Sequence, residues 1–253
     1  MLPLDLHAHI EPDIPAQDLD ALDACVVAAT RSLDEFEAVR RRDDARVAWG
    51  VGCHPGVAKA VNAFDRDRFA DALAGTAFVS EIGLDGASKV DMSAQLDVFT
   101  HALSTLVEMP RIASVHSYKA TGAVVDLIEA HQPRGIVLHW WLGTREETVR
   151  AVEAGAYFSV NASQARRWKH LDLIPSERLL LETDHPFGDR SETAPRRPGN
   201  VLKTEEAIAR QLGRSPPAIR NQGWKNLAAL AAHIPEAAEA MPRAFRVEML
   251  SAF

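Results

Sequence analysis

Eight short apolar runs, each separated from the next by a longer segment, limit the fold of this chain more than any other feature. The runs are LDLHAH, ACVVAAT, VAWGVGCH, AFVSEIG, RIASVHS, GIVLHW, AYFSVNA and RLLLETD. Runs of this length and apolarity are typical of strands in a parallel sheet that helices cover. The sequence therefore predicts a repeated strand–helix architecture.

The segments between the runs carry the periodicity and end signals of helices. Ser32 and Thr144 stand at expected N-caps, each with a glutamate three residues later, and Gly155 stands at an expected helix end. The helical stretches are SLDEFEAVRRR, MSAQLDVFTHALSTLV, TGAVVDLIEAH and TREETVRAVEAG, and from about residue 199 also KTEEAIARQL and NLAALAAHI. We expect the last two to close the outer layer of the fold.

Eight such units predict the α/β class and a TIM-like (β/α)8 barrel, formed as a single domain by residues 1–253. A doubly wound sheet usually has fewer units and an early glycine-rich phosphate loop, and the chain contains no GxGxxG or Walker sequence. The segment GDRSETAPRRPGN is predicted to be a long loop over the barrel mouth rather than a domain boundary.

Composition and charge narrow the class of protein. The formal net charge of −7 has the wrong sign for a broad basic surface that holds nucleic acid, so any phosphate site must be local or supplied with charge by bound cations. Cys25 and Cys53 are too few for a disulfide framework, and we expect both to be core thiols. The chain shows neither a signal-peptide pattern nor an apolar run of membrane-spanning length, so the expected compartment is the cytoplasm.

Histidines and carboxylates stand where the predicted strands end. In a barrel of this kind the carboxyl ends of the strands carry the chemistry, so these groups should converge on one mouth. Imidazole and carboxylate are ligands of divalent metals. The group comprises His7, His9, His54, Glu81, His116, His139 and Asp184.

The first pair has a defined geometry, because residues i and i+2 of a strand point to the same face. His7 and His9 can therefore bind one ion together. The set is larger than one tetrahedral ion needs, and a catalytic metal also keeps a position open for water, which suggests two ions that share a carboxylate. Glu81, on a central strand, is the expected bridge.

The motifs HAH, GCHP, EIGLD, VHS, VLHWWLGT and ETDHP resemble, in this order, those of TatD-type metal-dependent hydrolases. The resemblance spans residues 4 to about 190 and implies a barrel nuclease, often a 3′→5′ exonuclease acting on DNA ends. It implies two divalent ions, Mg²⁺, Mn²⁺ or Zn²⁺. One would be held by His7, His9, Glu81 and Asp184, and the other by Glu81, His116 and His139.

The resemblance also implies roles in catalysis. The expected reaction is attack of activated water on a phosphodiester, with Asp184 as general base and Glu81 holding both ions. His54 is expected to face the substrate rather than a metal, and to contact the phosphate or assist the leaving group.

The departures from the family lie on the substrate side. Tyr118 and Lys119 follow the fifth-strand histidine where the family has an arginine, and His185 stands where a small residue is usual. Trp140 and Trp141 stand where the family often has Cys and Phe, so either ring would stack on a base or only pack the barrel rim. All five are candidate substrate contacts.

Other polar and basic residues are weaker candidates for phosphate contacts. Arg196, Arg197 and Asn200 only approximate the family pattern after the last strand. The cluster Arg40–Arg42 is expected to be a solvated helix face, whereas Arg166–Lys169, with Trp168, follows the seventh strand and would guide a nucleic-acid strand.

Two other functions remain open. The same metal pair would activate water against an amide or the aminoacyl ester of a tRNA. Alternatively, the chain is a metal-binding subunit that is active only within a larger complex. Its short loops and changed contacts are similar to those of divergent TatD-type proteins in anti-phage gene cassettes, including the Qat type, which implies protein partners in defence.

Overall fold

The computed structural model describes residues 1–167, 170–190 and 196–253. Eight parallel strands follow one another around a ring in the order of the sequence. Two backbone hydrogen bonds join the carboxyl end of the first strand to the segment that follows the last strand. The Asp184 amide donates to the His7 carbonyl at 2.9 Å, and the His9 amide donates to the His185 carbonyl at 2.8 Å. The strands are β1 Leu4–Ala8, β2 Cys25–Ala29, β3 Val47–Gly52, β4 Phe78–Gly83, β5 Ile112–His116, β6 Ile136–His139, β7 Tyr157–Val160 and β8 Leu179–Leu181.

Helices connect the strands and follow the last one. They are α1 Ala16–Asp20, α2 Leu33–Val39, α3 Ala58–Asn62, α4 Arg66–Ala74, α5 Met92–Glu108, α6 Thr121–His131, α7 Arg145–Glu153, α8 Ala162–Ala165, α9 Leu202–Leu212, α10 Pro216–Ala232, α11 Pro235–Ala240 and α12 Arg243–Ser251. Short 3₁₀ helices cover Leu171–Leu173 and Ser176–Arg178. The predicted (β/α)8 barrel is confirmed, and each of the eight apolar runs contains one strand.

The predicted helix ends have a local chemical cause. Ser32 accepts the amide of Glu35 at the start of α2, and Thr144 forms a reciprocal capping box with Glu147 at the start of α7. Gly155 follows α7 with φ +88°, a conformation that favours glycine.

The last three helices differ from the expected outer layer. Their buried residues, such as Trp224 and Phe245, pack with residues from the amino-terminal parts of the strands, including Leu4, Phe78 and Ile112. Thus α10, α11 and α12 cover the amino-terminal end of the barrel, while α9 joins the larger apolar cluster of strands and earlier helices. The carboxyl ends of the strands remain open for a site.

Within the described ranges, none of the helices has the length and apolar character needed to cross a membrane.

Candidate metal centre

All seven polar residues predicted at the strand ends converge at the carboxyl end of the barrel. Glu81 lies at the centre and is 1% exposed. One set of ligand atoms surrounds its carboxylate on the β1 side. His7 Nε2 lies 3.4 Å from Glu81 Oε1 and 3.9 Å from Asp184 Oδ1, and His9 Nε2 lies 3.8 Å from Glu81 Oε2 and 3.4 Å from Asp184 Oδ1.

A second set lies on the β5 and β6 side of the same carboxylate. His139 Nε2 is 3.1 Å and His116 Nδ1 is 3.7 Å from Glu81 Oε1, and the two imidazole nitrogens are 3.3 Å apart. Both sets therefore share Glu81, which is the arrangement expected of a bridging carboxylate.

The residues present fit divalent ions. Ligands bound about 2.1 Å from a tetrahedral ion are about 3.4 Å apart, close to the separations in both sets. Several of these atoms are buried without a hydrogen-bond partner, namely His7 Nε2, Glu81 Oε2 and Asp184 Oδ1. Because an unpaired buried polar atom is costly, a cation is the partner that best accounts for them.

Irregular backbone conformations position His7, Glu81 and Asp184 in the centre. The registers of β1 and β4 shift between Asp5 and Ala8 and between Val79 and Ile82, and the segments skipped contain His7 and Glu81. Glu81 has φ +49° and Asp184 has φ +44°, values that are uncommon for residues with a Cβ and that cluster at functional sites.

Gly83 makes the close approach of β4 to β5 possible. Its φ is +137°, and a Cβ at this position would lie 2.0 Å from the carbonyl oxygen of His116. Only glycine fits here, which explains the glycine of EIGLD in terms of the position of the neighbouring histidine.

A buried hydroxyl fixes the orientation of His7. Its Nδ1 lies 2.7 Å from Ser114 Oγ, and both residues are buried. A ring that donates from Nδ1 keeps its lone pair on Nε2, the nitrogen facing Glu81 and Asp184. Ser114 thus orients a candidate ligand without contacting the ion itself.

His54 is oriented as a hydrogen-bond donor. Its Nδ1 accepts the backbone amide of Gly56 at 2.8 Å, so that nitrogen is unprotonated. In the neutral ring the proton then lies on Nε2, which is 3.1 Å from Glu81 Oε2 but forms no hydrogen bond with it. Burial lowers the pKa of His54 and favours this neutral form. His54 also comes close enough to Glu81 and His116 to complete a metal-binding triad, but a protonated Nε2 cannot serve as a ligand.

Burial and neighbouring charges shift the pKa values of His116 and Glu81 in opposite directions. Burial lowers the pKa of His139 to about 4, assisted by the nearby His7. Burial would also lower the pKa of His116, but the carboxylates of Asp85 and Glu81 outweigh it and raise that pKa to about 9. Burial would raise the pKa of Glu81, yet His54 and the other imidazoles hold it well below its ordinary value. Glu81 is therefore an anionic centre.

A second buried carboxyl, Glu182, lies behind the centre. Its Oε1 accepts the Trp140 amide at 3.1 Å and lies 3.9 Å from His139 Nδ1, and its other oxygen accepts the Ser159 hydroxyl. Burial, and then the charge of Asp184, raise its pKa well above the ordinary value. Glu182 therefore ties the end of β6 to β7 and β8.

A cavity of about 490 Å³ opens above the centre, within the range of small-ligand sites. Tyr118, Trp140, Leu142 and Phe187 form an apolar wall, and Tyr118 and Phe187 are 44% and 40% exposed. Three of the predicted substrate contacts, His54, Tyr118 and Trp140, therefore line the same space as the candidate ligands.

The other predicted substrate contacts are directed elsewhere. Trp141 is fully buried, and its indole nitrogen donates to Thr148 at 2.9 Å, which corresponds to the packing alternative. His185 bonds Asp189 at 2.7 Å, outside the cavity wall. Lys119 also lies outside this wall, with its ammonium 5.6 Å from the centroid of the Tyr118 ring.

The weaker candidates for phosphate contacts also interact with other residues of the protein. Arg196 donates to Asp189 and to a backbone carbonyl, and Arg197 donates to the carbonyl of Ala21 at 3.3 Å. Asn200 has a partner within the protein as well. In the cluster Arg166–Lys169, Trp168 and Lys169 lie outside the described residues.

The cluster Arg40–Arg42 is not the predicted helix face, because α2 ends at Val39 and Arg40 is its C-cap. The cluster also does not line the cavity over the centre. Arg40 pairs with Glu37 and Asp71, and Arg42 with Asp44. Arg40 and Arg42 line a separate depression together with the start of β3 and with α12, at the amino-terminal end of the barrel. This cluster therefore does not contribute to the candidate centre.

Sequence reasoning missed Ser114, Glu182 and Arg31, all of which bear on the site. Ser114 is two residues before His116 and Glu182 two before Asp184, so i, i+2 spacing on a strand was an available signal. Arg31, two residues after β2, offered only the general signal of a charged residue behind a strand end.

Comparison with known proteins gives the same assignment as the motifs. A family model described as TatD related DNase matches residues 4–231. The putative deoxyribonuclease tatdn3-B of Xenopus laevis is 30% identical over 40% of this chain and 40% of its own length. The 3′-5′ ssDNA/RNA exonuclease TatD of Cronobacter sakazakii is 31% identical over 65% of this chain and 68% of its own. The chain spans less than two thirds of the length of most such curated relatives, as for the Danio rerio protein tatdn3 (59%).

Solved structures agree on the fold. The TatD homologue YjjV of Escherichia coli superposes with a TM-score of 0.76 at 20% identity, covering 89% of this chain and 97% of that one. A TatD-family hydrolase of Entamoeba histolytica gives 0.71 at 16% identity, covering 91% and 98%. With the family match over nearly the whole chain, the protein belongs to the TatD related DNase family of metal-dependent hydrolases.

Proposed function

We propose that this protein is a divalent-metal-dependent phosphodiesterase that removes nucleotides from the 3′ ends of single-stranded DNA. The observation that carries the proposal is the pair of ligand sets sharing Glu81, at the floor of a cavity with aromatic walls. Two cations sharing a carboxylate suit phosphodiesters, and exposed aromatic rings suit unstacked bases. The names of relatives, which include 3′-5′ ssDNA/RNA exonucleases, support the same substrate and polarity.

Two ions, Mg²⁺, Mn²⁺ or Zn²⁺, would be held by His7, His9, Glu81 and Asp184 and by Glu81, His116 and His139. When bound, they would supply the Lewis acidity that makes water nucleophilic at neutral pH and the positive charge that stabilises the phosphoryl group.

The chain's own residues accept the proton of the attacking water and hold the substrate. The Asp184 carboxylate, at the edge of the cavity, takes the proton of the attacking water. His54 carries its proton on Nε2 and lines the same cavity, so it donates a hydrogen bond to the leaving oxygen or to the phosphate. Trp140 and Tyr118 hold the terminal base.

Product analysis tests the proposal. The purified chain is incubated with single-stranded DNA and a divalent cation, and the products are separated by chromatography. We expect 5′-mononucleotides. Hydrolysis of an aminoacyl ester of tRNA or of an amide, with DNA left intact, would contradict the proposal in favour of another bond.

Activity that depends on a partner has a separate signature. A chain that binds metal yet cleaves DNA only after a partner protein is added would identify a subunit of a larger complex. A role in anti-phage defence stays a prediction of the sequence, and plaque counts on cells with and without the gene would test it.

A further inference from the structure

Arg31 is the one lysine or arginine that lines the cavity over the candidate metal centre, among the residues that the structure describes. It follows β2 by two residues, and its side chain is 37% exposed. The floor of the cavity carries the carboxylates of Glu81 and Asp184, so Arg31 is a positive charge set apart from that anionic centre.

Contacts with Glu35 and with the backbone of His54 fix the position of Arg31. Glu35 Oε2 accepts the Arg31 backbone amide at 2.7 Å, and Glu35 Oε1 lies 3.2 Å from Arg31 Nη2. Glu35 is itself held by Ser32, the N-cap of α2. The carbonyl of Arg31 accepts the His54 amide at 3.0 Å, which ties Arg31 to the candidate hydrogen-bond donor of the leaving oxygen.

The guanidinium keeps donors for a ligand. Glu35 engages Nη2, and within the described part of the chain neither Nε nor Nη1 of Arg31 has a protein acceptor. A guanidinium has five N–H donors in a planar fork that suits phosphate oxygens, so the unused edge is suited to bind a second phosphate.

The cationic and apolar sides of the mouth face each other. Trp140 and Leu142 follow β6, whereas Arg31 follows β2, and these two strands lie on opposite sides of the eight-stranded ring. Glu81 on β4 lies between them at the floor. A strand of nucleic acid crossing the mouth would therefore pass from aromatic rings, over the centre, to a guanidinium.

We propose that Arg31 binds the phosphate on the 5′ side of the penultimate nucleotide, one position from the scissile phosphate. This inference rests on the proposed function. It makes the enzyme prefer a strand whose penultimate nucleotide carries a 5′-phosphate, since that phosphate is the first one beyond the reacting group on the side of His54.

The direction of the strand follows from the hydrogen-bond donor His54 Nε2–H. Water adds to the phosphorus and gives its proton to Asp184, the P–O3′ bond breaks, and the leaving O3′, which accepts a hydrogen bond from His54 Nε2–H, takes a proton from solvent. Asp184 then returns its proton to solvent. The leaving O3′ belongs to the penultimate nucleotide, so the retained strand lies on the side of His54 and Arg31. The released 5′-mononucleotide then lies on the side of Trp140.

Two dinucleotides that differ by one phosphate test this contact. Thymidine dinucleotide with a 5′-phosphate, pTpT, contains the phosphate assigned to Arg31, and TpT lacks it. For the wild-type chain with Mn²⁺ we expect kcat/KM for pTpT to exceed that for TpT by about 10–100-fold, as for a hydrogen-bonded charge pair. In Arg31→Gln the ratio should fall towards one, mainly through a higher KM for pTpT.

Arg46→Gln is the matched control. Arg46 is 36% exposed and has one ion pair, with Asp23 at 3.2 Å, but it precedes β3 at the opposite end of the barrel. The Arg46→Gln variant should keep the wild-type preference for pTpT over TpT. An Arg31→Gln variant that also keeps the preference would overturn the inference.

A binding measurement without added metal gives an independent readout. The affinity for a fluorescent single-stranded oligonucleotide is measured by anisotropy in EDTA at several salt concentrations. Losing one phosphate contact should reduce the salt slope by about 0.7 in Arg31→Gln and leave it unchanged in Arg46→Gln. If the chain releases no 5′-mononucleotides from single-stranded DNA, the proposed function fails. Equal salt slopes for the Arg31→Gln and Arg46→Gln variants would separately overturn the assignment of Arg31.

Discussion

Replacing Ser114 with alanine should weaken metal binding although Ser114 contacts no ion. The hydroxyl lies 2.7 Å from His7 Nδ1, and both groups are buried. Without it, a His7 ring that presents Nε2 to the metal has a buried Nδ1–H with no acceptor, which costs about 1–3 kcal/mol. Loss of such an orienting partner typically lowers metal affinity about 10–100-fold, or roughly 1.4–2.7 kcal/mol.

Isothermal titration of the EDTA-treated chain with Zn²⁺ or Mn²⁺ measures the effect of Ser114→Ala, and chemical denaturation measures stability. Thr76→Val is the control, since Thr76 is buried and its hydroxyl donates to the Trp49 carbonyl at 2.7 Å, before β4 and away from the centre. It should lose stability but keep metal affinity. Wild-type metal affinity in Ser114→Ala would show that His7 does not depend on Ser114 to present Nε2 to the metal.

Two further substitutions and one measurement of thiol reactivity test packing and backbone. Trp141→Phe should lower the free energy of unfolding, measured by chemical denaturation, by about 1–3 kcal/mol, because it removes the hydrogen bond to Thr148. The KM for oligonucleotides should stay at the wild-type value, and a raised KM would contradict the packing role. Cys25 and Cys53 should stay unreactive to a thiol reagent at pH 8 until the chain unfolds, because burial raises the pKa of each thiol to about 12. Gly83→Ala should cost at least about 3 kcal/mol in thermal or chemical unfolding, and a wild-type midpoint would show that the strand pair relaxes more easily than its geometry implies.

The barrel was predictable because each buried strand is a short apolar run whose limits appear in the sequence. The N-caps at Ser32 and Thr144 were predictable for the same local reason. The position of the last helices was not, since helical periodicity shows that a helix has an apolar face but not which surface that face covers. That surface is the amino-terminal end of the barrel, where Trp224 and Phe245 pack.

The convergence of the candidate ligands was likewise predictable, because parallel strands place their carboxyl ends together. The two tryptophans show the limit. Trp140 has φ +39° and lines the cavity, while Trp141 turns into the core, and no sequence pattern distinguishes neighbours of the same type. Arg31 was missed because its approach to the mouth depends on Glu35 and on contact between two strand ends.

The proposed function requires that the groups around Glu81 bind the divalent cations needed to cleave DNA. The most direct measurement incubates the EDTA-treated chain with end-labelled single- and double-stranded DNA and Mg²⁺, Mn²⁺ or Zn²⁺, alongside Glu81→Gln and Asp184→Asn. We expect cleavage only with added metal and its loss in both variants, each shown by circular dichroism to be folded. Full metal-dependent hydrolysis by either folded variant, or undiminished cleavage in EDTA, would show that these groups do not hold the catalytic cations.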